Sequence, residues 1–219
     1  MAWIEAARAM LADGDVLTLR RDGGDFEIRF NLHELMSSRN AVSETALAKI
    51  ACARVDRRSA RVLIGGLGMG YTLRAVLDEV GREAAVIVAE LVPEVVEWNR
   101  GPLSDLAARP LDDPRATVRV GDVADVMRTS PAAFDAILMD VDNGPDAVMV
   151  AANRFLYSAG GVRLILRALR PGGVLAVWAA DRSAGFERVL DGFAHERMEV
   201  NLRGGGGPVH TIYLVRAAM

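Results

Sequence analysis

The sequence predicts an α/β protein: a Rossmann-like, doubly wound, mostly parallel sheet with a C-terminal antiparallel hairpin, preceded by a small N-terminal helix and β-hairpin. Three observations lead there. From Arg61 onward, short apolar runs alternate with amphipathic stretches, the pattern of parallel strands covered by helices on both faces. Four consecutive runs of this kind end in glycine or a carboxylate, where open parallel sheets bind ligands. Before Arg61 the pattern changes to period two around a Gly-rich turn. The chain accordingly divides into residues 1–58, an N-terminal helix and hairpin region, and 59–219, a nucleoside-binding α/β domain.

Trp3 to about Leu11 reads as a short amphipathic helix, with Ile4, Ala7 and Leu11 at helical spacing and Asp13-Gly14 ending it. Val16, Leu17 and Leu19, then Phe26, Ile28 and Phe30, flank Asp22-Gly23-Gly24-Asp25 and predict the hairpin. Ser43 and Glu44 look like the cap of a helix running to about Val55, with Ala46, Leu47, Ile50 and Ala51 as its apolar stripe. Val62-Leu63-Ile64 is the first strand of the α/β part and runs into a glycine loop and a helix through Leu77. The strand Ala85 to Ala89 ends at Glu90, and Pro93 opens the next helix. Thr117 to Val120 ends at Gly121-Asp122, and Ala136 to Met139 ends at Asp140. A helix from about Gly161 to Leu169 closes at Pro171-Gly172-Gly173, and Val174 to Ala179 is the last parallel strand. A helix near Phe186 to Phe193 and two strands joined by Gly204 to Gly207 complete the chain.

Composition excludes several classes of function. With 219 residues, 51% hydrophobic and 25% charged, and a net charge of −3, the chain is an ordinary globular balance and not a basic nucleic-acid binder. All of the 26 cations except Lys49 are Arg, which removes most chemistry that needs a P-loop lysine or a Schiff base. Cys52 is the single cysteine, so neither an internal disulfide nor a Cys-rich zinc site can form. His33, His195 and His210 are far apart without ligand spacing, and no metal is expected. Met36, Met127, Met139 and Met149 are expected to fill core or pocket walls. Ser183 has no nucleophile-elbow context. No run approaches ~18 apolar residues, so no membrane span or signal peptide is expected and a cytoplasmic location is.

The candidate site lies at the strand ends. Gly65, Gly66, Gly68 and Gly70 allow a sharp turn and close backbone approach, and the helix behind them offers free N–H groups. The spacing is GxGxG, and the third glycine of the dinucleotide fingerprint is replaced by Tyr71. Glu90, followed by Leu91, stands where a carboxylate accepts from ribose hydroxyls. Asp122, followed by Val123, can accept from an exocyclic adenine amine or cap the helix that follows, and the two roles are compatible. Asp140-Val141-Asp142-Asn143-Gly144-Pro145-Asp146 can bind a cation, act as a base or simply form an acidic turn.

These motifs resemble a class I S-adenosylmethionine-dependent transferase and, more narrowly, the polyamine aminopropyltransferases or spermidine synthases. The likeness is carried by Val62 to Gly70, Glu90, Gly121-Asp122, Phe134 to Asp140 and Leu169 to Leu175, and it covers roughly Phe30 to Trp178. It implies a nucleoside co-substrate, S-adenosylmethionine or its decarboxylated form, with Glu90 on the ribose and Asp122 on the adenine. Asp140, aided by Asp142, would orient and deprotonate a small amine, with Asn143 and Tyr157 toward the substrate. No metal, nucleic acid or membrane enters this reading, and homodimerisation is left open. The family usually has an Asp inside the glycine loop where this chain has Gly68, and its acidic loop spaces two Asp three apart where Asp140 and Asp142 are two apart. A small-molecule methyltransferase and a non-catalytic nucleoside-binding protein on the same fold stand as alternatives.

Overall fold

A computed structural model describes residues 2–11, 14–146, 151–202 and 208–219. The expected helix end at Asp13, the wall role of Met149 and the turn at Gly204 to Gly207 lie outside the described residues.

The N-terminal region is a four-stranded antiparallel sheet in sequence order: β1 (Ile4–Met10), β2 (Val16–Asp22), β3 (Asp25–Phe30) and β4 (His33–Ser37). The hairpin of β2 and β3 is as expected, turning at Gly23-Gly24. The helix expected at Trp3 to Leu11 is instead strand β1, paired antiparallel to β2 with an irregularity between Glu5 and Ala7. Only Ala7 and Ala9 of β1 turn inward, at period two. With so few apolar contacts to offer as a helix, the segment gains more from a backbone ladder on the exposed edge of β2. Strand β4 is an addition that periodicity did not indicate.

Helix α1 (Val42–Cys52) follows. Its N-cap is Ala41, without a side-chain cap, and Asn40 Oδ1 instead accepts from the Val42 N–H at 2.9 Å. Ser43 and Glu44 therefore sit inside the first turn rather than capping it, and both are buried. The remaining elements are β5 (Arg61–Gly65), α2 (Tyr71–Glu79), β6 (Ala85–Glu90), α3 (Pro93–Arg100), β7 (Ala116–Val120), α4 (Val123–Arg128), β8 (Phe134–Met139), α5 (Ala159–Ala168), β9 (Leu169–Ala179), α6 (Ala184–Leu190), β10 (His195–Asn201) and β11 (Val209–Arg216). Pro171-Gly172-Gly173, expected as a turn, is absorbed into the start of β9, whose register against β8 shifts between Phe134 and Ala136. Ser183 is the N-cap of α6, accepting from the Phe186 N–H at 3.0 Å.

The large sheet has the order β10-β11-β9-β8-β5-β6-β7, with β5 to β9 parallel and β10 and β11 antiparallel. The chain leaves β5 toward β6 and β7, then returns on the other side to β8. That reversal opens a crevice at the carboxyl ends of β5 and β8. Alternate residues of the strands feed two cores: Val62, Ile64, Val88 and Leu138 on one face, Leu63, Ile137, Leu175 and Val177 on the other. Each fully buried Val, Leu or Ile stabilises by roughly 1.5–3 kcal/mol relative to exposure. The first core continues through Leu47 and Ala51 of α1 into Leu17, Leu19, Phe26 and Ile28 of the N-terminal sheet. The small sheet is thereby held against the open crevice.

Candidate functional site

Strand β5 ends where its backbone must pass close to that of β8. Gly66 has φ +89°, and a Cβ there would stand 2.2 Å from the Asp140 carbonyl oxygen, so only glycine fits. The loop is pinned on both sides: Asp140 N–H donates to the Gly65 carbonyl at 2.9 Å, and Asn99 Nδ2 of α3 donates to the Gly68 carbonyl at 2.8 Å. Gly68, at φ +52°, faces Met36 of β4, whose sulfur would lie 2.7 Å from a Cβ. The methionine fills the space that a side chain at position 68 would enter.

Glu90, at the end of β6, is buried with both carboxylate oxygens engaged: Oε2 accepts from the Leu67 N–H and Oε1 from the Val92 N–H, each at 2.9 Å. Burial raises its pKa and outweighs these backbone donors, which act in the opposite direction. Asp122 is the N-cap of α4, accepting from the Ala124 N–H at 2.8 Å. Neighbouring Leu91 and Val123 supply apolar surface beside the two acids.

Asp140 follows β8. Thr72 of α2 donates its hydroxyl to Asp140 Oδ2 at 2.5 Å. Burial pushes the Asp140 carboxyl up to about 7, the nearby negative charge of Glu44 adds to the rise, and the Thr72 hydroxyl opposes it. A carboxylate in that range is suited to taking a proton at neutral pH. Asp142, at φ +52°, accepts from Asn153 Nδ2 at 2.9 Å. Asn143 Nδ2 donates to the Glu34 carbonyl of β4 at 3.3 Å, tying the acidic loop to the small sheet.

One cavity of about 430 Å³ collects these groups. Gly66, Gly68, Glu90, Leu91, Asp122, Val123, Asp140, Asp142 and Asn143 all line it. Gly65, Gly70 and Tyr157 do not. Gly65 is the last residue of β5, and Gly70 packs toward Asn99 and Pro110. Tyr157 is buried behind the acidic loop, its hydroxyl donating to the Val141 carbonyl at 2.8 Å, so it supports the loop from outside the cavity.

The cavity also has walls that sequence reasoning missed. Ser43 and Glu44 of α1, Trp178 of β9 and His210 of β11 line the same space, while Met36 of β4 is a wall as expected. Ser43 donates its hydroxyl to Glu44 Oε2 at 2.7 Å, and His210 Nδ1 lies 2.9 Å from the same hydroxyl oxygen. Because the single Ser43 hydrogen points to Glu44, the hydrogen-bond pattern assigns the proton between His210 and Ser43 to Nδ1. Burial lowers the His210 pKa, with Asp181 opposing, so the ring is held neutral. Burial likewise raises the Glu44 pKa, and the Ser43 hydroxyl opposes this. One signal for Glu44 was available: with Leu47, Ala48, Ala51 and Cys52 it forms a buried i, i+3, i+4, i+7, i+8 face on α1, an odd place for an acid.

Among the described residues, no group of His, Cys, Asp and Glu that could hold a metal ion is found, and no helix is long and apolar enough to cross a membrane.

A family model, the spermine/spermidine synthase domain, matches residues 41–190. A polyamine aminopropyltransferase of Mycobacterium tuberculosis (strain CDC 1551 / Oshkosh) is 39% identical over 121 residues, covering 54% of this chain and 22% of that protein. Polyamine aminopropyltransferase 2 of Pseudomonas aeruginosa is 37% identical over 120 residues, 53% of this chain and 32% of that protein. The matched segment is thus about a fifth to a third of the length of these relatives. Among solved structures, spermidine synthase from Thermotoga maritima superposes with TM-score 0.77 at 18% identity, covering 98% of this chain and 72% of that one. A spermidine synthase in complex with the transition state analogue AdoDATO gives the same TM-score and coverage.

Proposed function

The chain belongs to the spermine/spermidine synthase family, and from that premise we propose that it transfers an aminopropyl group from decarboxylated S-adenosylmethionine to a small amine, in the cytoplasm. The single observation that carries the choice is the charge of the cavity wall: it bears Glu34, Glu44, Glu90, Asp122, Asp140 and Asp142, and among its described residues no Arg or Lys. In a chain with 26 cationic residues, that exclusion favours cationic ligands and disfavours one carrying a carboxylate.

In this reading Glu90 accepts from the ribose hydroxyls with the lone pairs that Leu67 and Val92 leave free, and Asp122 accepts from the adenine amine while still capping α4. Leu91 and Val123 pack on the base. Residues 1–58, whose core runs on into that of the α/β part, close the cavity over the strand ends with Leu17, Ile28, Met36 and Glu44. Asp140 holds the attacking amine, with Asp142 and Asn143 beside it. In the transfer, the amine lone pair forms a bond to the methylene on the sulfonium, the C–S electron pair passes to sulfur as a neutral thioether, and the amine proton goes to Asp140. The residues fit such a ligand because the acids converge on one space of the size that small-molecule sites occupy, roughly 300–1,000 Å³.

The test is product analysis. Incubation with decarboxylated S-adenosylmethionine and 1,4-diaminobutane is expected to release methylthioadenosine. Adenosylhomocysteine from S-adenosylmethionine would instead establish methyl transfer, and calorimetry showing no binding of either nucleoside would sink both.

A further inference from the structure

Glu44 has no part in the roles assigned to Glu90, Asp122 and Asp140, yet it is the cavity's most unusual side chain. It is 8% exposed, lies on the buried face of α1, and lines the same space as Asp140. Among the described residues no Arg, Lys or His forms an ion pair with it. Its side-chain donor is the Ser43 hydroxyl, itself backed by His210. A buried carboxylate without a counter-ion is strongly unfavourable unless something compensates it. A second unmatched group stands on the same wall. Trp178 is 7% exposed and its indole N–H has no acceptor, while its ring meets His210 edge-on at 4.9 Å between centroids.

We propose that Glu44 is a specificity residue that binds a primary alkylammonium group in the Asp140 half of the cavity, with Ser43 and His210 fixing its carboxylate. The inference rests on the aminopropyl-transfer reading and deepens it. An ammonium carries three donors and a charge, so it can bridge two carboxylates that otherwise repel each other across the space. The relay from His210 Nδ1 to Ser43 Oγ to Glu44 Oε2 supplies donors without supplying a cation. The carboxylate is held in place and its charge is left for the ligand. That arrangement distinguishes the site from a buried ion pair, which would be complete by itself.

Two substrates could bring the ammonium: the aminopropyl arm of the nucleoside or the acceptor amine. Calorimetry on the full chain separates them with three probes. These are methylthioadenosine, which has no ammonium, decarboxylated S-adenosylmethionine, and 1,4-diaminobutane in the presence of methylthioadenosine. Glu44→Gln is expected to leave methylthioadenosine affinity unchanged and to weaken at least one ammonium probe by about 10-fold or more, the usual loss for a charged hydrogen bond. Loss on the nucleoside identifies the donor arm, and loss on the diamine identifies the acceptor. Glu44→Asp, which keeps the charge, is expected to restore most of the affinity. Should the Gln variant not fold, Glu44→Leu offers the buried face an apolar side chain and is expected to show the same loss. Equal affinities of wild type and the neutral variants for all three probes would overturn the inference while leaving the transferase reading intact. Failure of the wild type to bind any nucleoside would instead overturn that reading and this one with it.

Discussion

The two halves of the cavity are built in opposite ways. Over β5, β6 and β7 the acids are already satisfied by backbone: Glu90 accepts from Leu67 and Val92, and Asp122 from Ala124. Over β8, β9 and β11 the acids meet side chains: Thr72 on Asp140, Asn153 on Asp142, and Ser43, backed by His210 from the far end of the chain, on Glu44. Backbone donors belong to the strand-end turns themselves and change little with sequence, so they suit the rigid, general half that we propose for the nucleoside. Side-chain partners can be exchanged singly, and they set protonation as well as position. The difference is what the proposed division between recognition in the first half and chemistry in the second rests on.

The largest expected effect breaks the second half alone. Asp140→Asn is expected to reduce turnover by about 10²–10⁴-fold, the range for loss of a general base, with methylthioadenosine affinity unchanged. In the wild type, kcat/KM should rise with pH through about 7, because only ionised Asp140 can accept the amine proton. Glu44→Gln removes one of the charges that raise that carboxyl, so the acid limb should move to lower pH. The stability sign is opposite to the catalytic one. A carboxyl raised from 3.8 to about 7 in the folded state binds a proton there that the unfolded chain has released, so stability falls as pH rises across that window. Asp140→Asn should therefore raise Tm at pH 8, by about 2–4 °C for each kcal/mol relieved, and not at pH 3. A flat pH profile, or equal loss of nucleoside binding, would break the division between the halves.

How much could be read beforehand follows the same line. The placement of the proposed nucleoside half was legible because its parts are consecutive: a strand, a glycine loop, an acid at the next strand end, another at the third. Asp122 was read as both cap and ligand contact, and the capping geometry is there. The catalytic half was only partly legible. Asp140 could be found from its strand end, but its partner Thr72 is 68 positions away and His210 meets Ser43 across 167. Nothing in local spacing encodes those meetings. Glu44 was read as a helix cap because Ser and Glu near a helix start usually are, and the tertiary packing of α1 made it a cavity wall instead. The N-terminal strand was misread for a related reason, since its ladder partner β2 decides its conformation and its own periodicity does not.

The next effect in size tests the seam between the halves. Gly66→Ala places a methyl group against the Asp140 carbonyl, 2.2 Å away, at a backbone conformation that L side chains rarely adopt. Strain of that kind costs about 1–3 kcal/mol before any clash is counted, and the backbone must open to relieve it. Chemical denaturation should show a loss of at least that size, and both nucleoside affinity and turnover should fall together. Loss of one without the other would mean that the β5 and β8 ends are less tightly joined than the hydrogen bond from Asp140 N–H to the Gly65 carbonyl implies.

The smallest effect sharpens the picture of the acidic loop. Tyr157 stands outside the cavity and holds the loop through one hydrogen bond to the Val141 carbonyl, while its ring packs edge-on to Phe186 at 5.8 Å. Tyr157→Phe keeps the ring and removes only the hydroxyl, leaving the half-buried Val141 carbonyl without that donor. The expected loss of stability is about 1 kcal/mol, and a two- to several-fold drop in kcat should accompany it as Asp140 and Asp142 gain freedom. KM for the amine should change little if Tyr157 acts only through the loop. A KM rise of about tenfold with kcat preserved would show that the hydroxyl reaches the substrate after all, and the catalytic half would then extend one layer deeper than its cavity wall.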